Sequence, residues 1–203
     1  MIADEPITLR AARPTFEEGL VFAGYLNVAA EGFFRFWLGR NYSRTIADAF
    51  TKPGHDLSYE HATFAVRAES VIGLSLCFTA DRHRASSPEP LRQARGYPAL
   101  RAAVIGGFFS PLFRSLDTLE EGDFYLQAIA VDERLRGAGV GSLLFDWVEG
   151  QGRANDSRRL CLDVSGSNIG ARRLYERLGL HVVSESRIFY MPGVRLLRMA
   201  KAI

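Results

Sequence analysis

"RLRGAGVGSLLFDW", Arg134 to Trp147, sets three glycines among small residues and then turns at once into a leucine-rich run of helical period. It follows directly on "DFYLQAIAV", Asp123 to Val131, whose β-branched and aromatic residues read as a strand. Glycine loses more backbone entropy on folding than any other residue, so a cluster marks a tight turn or a close approach of the backbone. A helix start presents unpaired amides and a partial positive charge, and it binds anions where no bulky side chain stands in front of it. Gly137, Gly139 and Gly141 clear that approach, and Arg136 adds a cation at its entrance. The stretch therefore reads as strand, phosphate-binding turn, helix. The same glycines also suit a plain turn that packs a helix close to a sheet. Two familiar phosphate loops do not fit: the NTPase loop needs Gly-Lys-Ser/Thr and no lysine is present, while the dinucleotide fingerprint needs GxGxxG where the spacing here is GxGxG.

Downstream, "RRLCLDVSG" (158–166) reads as a strand, "NIGARRLYERLG" (168–179) as a helix, and "HVVSESRIFYM" and "VRLLRMAKAI" as two closing strands around Pro192–Gly193. Strand, helix, strand, helix implies a right-handed crossover and a locally parallel pair. Upstream, "ITLRAA" (7–12) is a short strand stopped by Pro14. A helical pattern runs from Thr15 to Gly39 with a break near Asn27, and "SRTIADAF" follows as a third helix with Ser43 as its cap. "ATFAVRAESVIGLSLCFTA" is a hairpin turning at Glu69–Ser70. Residues 81–121 read as a helical insertion, with "RAAVIGGFFSPLFRSL" (101–116) as its apolar helix. The expectation is one α/β domain over residues 1–203, with a mixed sheet and helices on its faces. Residues 7–80 form its first half and 122–203 its second.

The bulk numbers agree with one globular domain: 203 residues, 47% hydrophobic and 24% charged. A formal charge of +2 gives no basic face for nucleic acid. Lys52 and Lys201 are the only lysines, which suits a coding bias toward arginine or arginine-favoured phosphate recognition. Cys77 and Cys161 fall in apolar runs and read as buried free thiols, pointing to a reducing cytoplasm. The four histidines are scattered singly, with no metal-ligand spacing. The first residues lack a signal-peptide core, and no apolar stretch is long enough to span a bilayer.

Two segments together carry a resemblance. Arg136-Gly137-Ala138-Gly139-Val140-Gly141, continuing into Ser142, matches the coenzyme A loop Gln/Arg-x-x-Gly-x-Gly/Ala of the GNAT family of acyl-CoA-dependent N-acyltransferases. "SNIGARRLYERLGL" is similar to that family's Asn-x-x-Ala-x-x-x-Tyr-x-x-x-Gly-Phe segment, with Leu180 in place of the aromatic. The similarity covers Asp123 to about Val183.

The resemblance implies a sheet with a splayed parallel pair, acetyl-CoA as co-substrate and no metal. The pyrophosphate would rest on the amides of residues 137–142. Backbone groups of Ile129 and Val131, with Ala130 between them, would pair with the pantetheine arm like an added strand. Asn168 would bond that arm or cap its own helix, with Ala171 and Arg172 beside it. Tyr175 would place its hydroxyl near the thioester sulfur. The acceptor would be a primary amine of a small molecule or peptide, bound by the first two helices and the last strands. Those helices carry Tyr25, Phe33, Phe34, Phe36 and Trp37, mixed with Glu31 and Arg35; the aromatics at helical spacing also suit core packing. The insertion could cover the acceptor, form a homodimer surface or extend the core.

Attack of an amine on a thioester needs a neutral amine, a stabilised oxyanion and a protonated leaving thiolate. An amide near Ile129 would serve the oxyanion, worth about 3 kcal/mol. Tyr175 would serve as the acid, worth roughly ten- to ten-thousand-fold. Asp163 alternates with Leu160, Leu162 and Val164 and so lies on the opposite strand face. Some family members use a carboxylate there, twelve residues before the Tyr, as the base. Asp163 equally suits an ion pair with an arginine such as Arg172 or Arg173, or a cap of the following turn. Transfer of a larger acyl group, or a coenzyme A-binding module without turnover, are the alternatives to acetyl transfer.

Overall fold

The computed structural model describes residues 5–94, 118–187 and 195–203. The strands form one mixed sheet, seven-stranded among the described residues. Strand β1 (Thr8–Ala11) lies antiparallel to β2 (Ala62–Arg67), and β2 to β3 (Ser70–Thr79). The hairpin turns through Ala68 and Glu69, both at positive φ (47° and 62°), one residue earlier than the sequence suggests. A left-handed pair matches the twist of the flanking strands. Strand β4 (Asp123–Val131) is antiparallel to β3 and parallel to β5 (Arg159–Ser165). Strand β7 (Arg195–Ala202) pairs antiparallel with β5 and with the edge strand β6 (His181–Arg187). The expected mixed α/β sheet with a parallel pair is thus present.

The long helical pattern at the front splits into α1 (Phe16–Ala29) and α2 (Phe33–Leu38). The chain turns between them through Glu31 (φ 51°) and Gly32 (φ 87°). Asn27 makes the break without being its site, because its side-chain oxygen accepts from the Arg35 amide at 2.9 Å. Thr15 caps α1 by accepting from the Glu18 amide. Helix α3 (Tyr42–Phe50) starts one residue before the expected cap, with Asn41 at the cap position and Ser43 inside the first turn. Two short helices, α4 (Ala80–Arg84) and α5 (Glu89–Ala94), open the insertion. Its expected helix at 101–116 and the turn at Pro192–Gly193 lie outside the described residues. Helices α6 (Val140–Ala154) and α7 (Ile169–Arg177) complete the set. No described helix is long and apolar enough to cross a membrane.

Strand alternation divides the core between the two faces of the sheet. On one face Phe64, Leu74, Leu76 and Ala128 pack against Phe22, Leu26, Phe34, Trp37, Ile46 and Phe50 from α1–α3. Helices α1 and α3 cross in direct contact, since a Cβ at Gly19 would stand 2.8 Å from the Ala47 Cα. On the other face Leu126, Leu160, Leu162, Val164 and Met199 pack against Phe145 and Val148 of α6, with Ala171, Tyr175 and Leu178 of α7 at the margin. Each fully buried side chain of this size contributes about 1.5–3 kcal/mol. Helices α1–α3 and the two glycine-flanked helices α6 and α7 are therefore held on opposite faces.

Candidate active site

The parallel pairing of β4 with β5 stops early: only Asp123–Leu126 face Arg159–Leu162. At that point β4 carries a bulge, because Cys77 of β3 opposes Leu126 and Leu76 opposes Ala128, leaving Gln127 as the extra residue. Past the bulge, Ala128–Val131 stay with β3, while Asp163–Ser165 stay with β7. The sheet parts in its middle, and the wedge opens toward the carboxyl ends of β4 and β5. Ligands of open α/β sheets bind at such ends. The Ile129, Ala130 and Val131 backbone forms one side of the wedge.

Helix α6 begins at its rim. Gly137 and Gly139 adopt φ of 81° and 84°, a left-handed backbone that strains any other side chain, and a Cβ at either would meet no atom within 4 Å. The space in front of the turn is open. Gly139 is the N-cap residue and supplies no side-chain cap. The first bond back into the turn is the Leu143 amide to the Gly139 carbonyl, 3.0 Å. The Ala138 amide bonds the Leu135 carbonyl, whereas among the described residues those of Gly137, Gly139, Val140, Gly141 and Ser142 donate to nothing. Arg136 is exposed beside them, 3.9 Å from Glu133. These bare, co-directed amides with a cation alongside fit a diphosphate.

The opposite rim is the start of α7, and it is closed by its own side chain. Asn168 accepts from the Ala171 amide at 3.0 Å, so the capping role is present, and its side-chain amide donates to Glu31 at 2.9 Å. Tyr175 stands against Phe145 with ring centroids 6.4 Å apart. Burial pushes its hydroxyl up to about 12. Two further polar atoms beside the wedge, Gln127 Oε1 and Arg172 Nε, are buried without a hydrogen-bond partner. Buried polar atoms are nearly always paired, so orphans on β4 and α7 fit a polar arm lying between them.

Asp163 faces the other way. Its two oxygens accept from Arg198 at 2.8 and 2.7 Å in a forked pair, and Tyr125 donates its hydroxyl to one of them at 3.1 Å. Both partners of the ion pair are 7% exposed. Arg198 also lies over the Tyr125 ring at 5.6 Å and reaches Thr118. Burial opposes the Arg198 charge, but the bonds and field of Asp163 outweigh it and raise its pKa. Tyr125 is raised well above its ordinary value, first by burial and then by Asp163. The arginine that pairs with Asp163 is thus Arg198, its cross-strand neighbour on β7, rather than Arg172 or Arg173. Asp163 and Tyr175 lie on opposite faces of the sheet, and the wedge is the place where both faces meet.

The sequence does not single out Tyr125, Gln127 or Arg198, and it offers Glu31 only as one charge among the front aromatics. The period-two alternation of β4 could have placed Tyr125 on the Asp163 face, but nothing local marks the others. Nor does the sequence mark a cluster near the foot of the sheet, where His83 bonds Asp56 at 2.8 Å and stacks on Phe78, with His61 edge-on to the same ring. Of the front aromatics, Phe34 and Trp37 are core residues and Phe36 is exposed. Burial raises the Cys77 and Cys161 thiols to about 12, which leaves neither as a ready nucleophile.

Comparison with known proteins agrees with this geometry. The sequence model of the acetyltransferase (GNAT) family matches residues 35–180. A crystal structure described as an acetyltransferase is 26% identical, with a TM-score of 0.66 over 97% of this chain and 99% of that one. An N-acetyltransferase from Staphylococcus aureus Mu50 is 15% identical and shares the fold, with a TM-score of 0.67 over 96% and 100% of the two chains. Ard1 from Thermoplasma volcanium shares it at 18% identity and a TM-score of 0.57, over 97% of each. No curated protein matched the chain. A bulged strand that parts from its parallel neighbour, an uncapped helix start at the rim and a family match across most of the sequence lead to one conclusion: the chain belongs to the GNAT acetyltransferase family and is an acyltransferase that draws on acyl-CoA.

Proposed function

We propose that the protein is an N-acetyltransferase that moves an acetyl group from acetyl-CoA to a primary amine of a small molecule or peptide, by direct attack in a ternary complex. The observation that carries this reading is the bare start of α6 at the rim of the wedge: amides of Gly137, Gly139, Val140, Gly141 and Ser142 with open space before them. They would hold the diphosphate, with Arg136 adding charge. The free edge of Ile129–Val131 would pair with the pantetheine arm, and Gln127, Asn168, Ala171 and Arg172 would flank it.

Tyr175 donates its proton to the departing sulfur. Raised to about 12, its phenol stays protonated at neutral pH, so the alkaline loss of kcat assigned to it comes only as pH climbs toward that value. An amide of the free β4 edge near Ile129 takes the oxyanion. Asp163 is the carboxylate on the acceptor face. Both of its oxygens are engaged by Arg198 and one also by Tyr125, which favours an amine that arrives neutral or sheds its proton to water. The buried, high-pKa thiols support direct transfer over an acyl-cysteine route.

The test is a thermal-shift titration with acetyl-CoA followed by thiol release against a panel of amines. Turnover with acetyl-CoA and a Tyr175→Phe variant that loses at least tenfold in kcat, with cofactor affinity kept, is the expected result. Faster turnover with longer acyl-CoA would assign a larger acyl donor. Binding without thiol release on any amine would make the chain a coenzyme A-binding module.

A further inference from the structure

We propose that Glu31 binds the acceptor and selects amines that carry a second positive charge, diamines and polyamines over monoamines; this rests on the N-acetyltransferase reading above. Glu31 occupies left-handed backbone at φ 51°, a region side chains other than glycine disfavour, and such outliers persist where the surroundings dictate them. Here they do. Gly32 continues the left-handed turn, and Asn27 holds the start of α2 through the Arg35 amide. The carboxylate is fixed as well, because Asn168, 137 residues away in sequence, donates to its Oε1 at 2.9 Å. Asn168 is itself immobilised as the cap of α7. The bond therefore ties the α1–α2 turn, on the acceptor side, to the rim of the wedge.

Among the described residues no arginine, lysine or histidine pairs with Glu31, and its second oxygen has no hydrogen-bond partner. Arg35, one turn on, is not within ion-pair range of it. A carboxylate oriented through one oxygen and open at the other, at the mouth of a cleft, is a receptor for a cation. The reacting nitrogen is not that cation, since it must be neutral to attack the thioester. The group held at Glu31 is a second ammonium of the same acceptor. Exposure makes the attraction modest and sensitive to salt.

Thiol release at saturating acetyl-CoA, with putrescine, spermidine and butylamine as acceptors, tests this in the wild type and in Glu31→Gln. Glutamine keeps an oxygen for Asn168 and removes only the charge. The expected wild type prefers the polycations, and in Glu31→Gln the ratio of kcat/KM for putrescine over butylamine falls about fivefold, through KM. The wild-type preference shrinks as salt is raised, and that of the variant does not. An equal ratio in the two proteins overturns the proposal and leaves the transferase reading intact. A wild type that acetylates other amines but neither putrescine nor spermidine overturns it too. Absence of thiol release with every amine overturns both.

Discussion

Two helices begin at the rim of the same cleft, and they begin differently. Helix α7 is finished by the chain: Asn168 satisfies the Ala171 amide and reaches across to Glu31. Helix α6 is left unfinished: Gly139 offers no side chain, and among the described residues the amides that follow donate to nothing before Leu143. A cap stabilises a helix whatever the solution contains, whereas a bare start gains its partner only when an anion arrives. The first is a structural element; the second, on the proposed reading, is a binding site that also starts a helix.

The sharpest way to break this contrast is Gly139→Glu. A side chain forced into left-handed backbone, with its carboxylate over the amides, should lower coenzyme A affinity at least a hundredfold by calorimetry; unchanged affinity would place the diphosphate elsewhere. Ligand-linked stability follows from the same contrast. At coenzyme A concentrations about a hundredfold above the wild-type Kd the wild type should gain about 2.7 kcal/mol, and Gly139→Glu at most about 0.4 kcal/mol. Asn168→Ala should do the reverse. Loss of a cap removes about 1 kcal/mol, a fall of roughly 2–4 °C in Tm for a domain of this size, present with or without ligand. Smallest is Arg136→Gln. An exposed arginine contributes less than about 1 kcal/mol, so coenzyme A affinity should fall only a few-fold, and less at high salt.

Local chemistry made the unfinished helix easy to read from sequence. Glycine clustering, the strand before it and the helical period after it are all contained within Asp123–Ala154, and β4 covers the expected Asp123–Val131. The paired strands and helices of the second half follow the same logic. What stayed hidden depends on contacts between distant residues. Asp163 meets Arg198 because β5 and β7 are neighbours in register, a fact of topology that no spacing announces. Asn168 meets Glu31 because α1 and α7 approach one rim from opposite faces. The front helix divides at Glu31, whose left-handed backbone has no compositional signature, unlike the glycine beside it. The bulge at Gln127, which ends the parallel pairing, is equally silent in sequence.

The early parting of β4 from β5 has a consequence for the ligand-free protein. A sheet that divides internally gains a second pair of edges, and strand edges recruit other strands. One of those edges is the apolar Ala128–Val131 segment, which carries neither charge nor proline. On the proposed reading, in which the donor fills this seam, ligand-free protein should self-associate more readily on warming than protein saturated with acetyl-CoA, a difference light scattering would show.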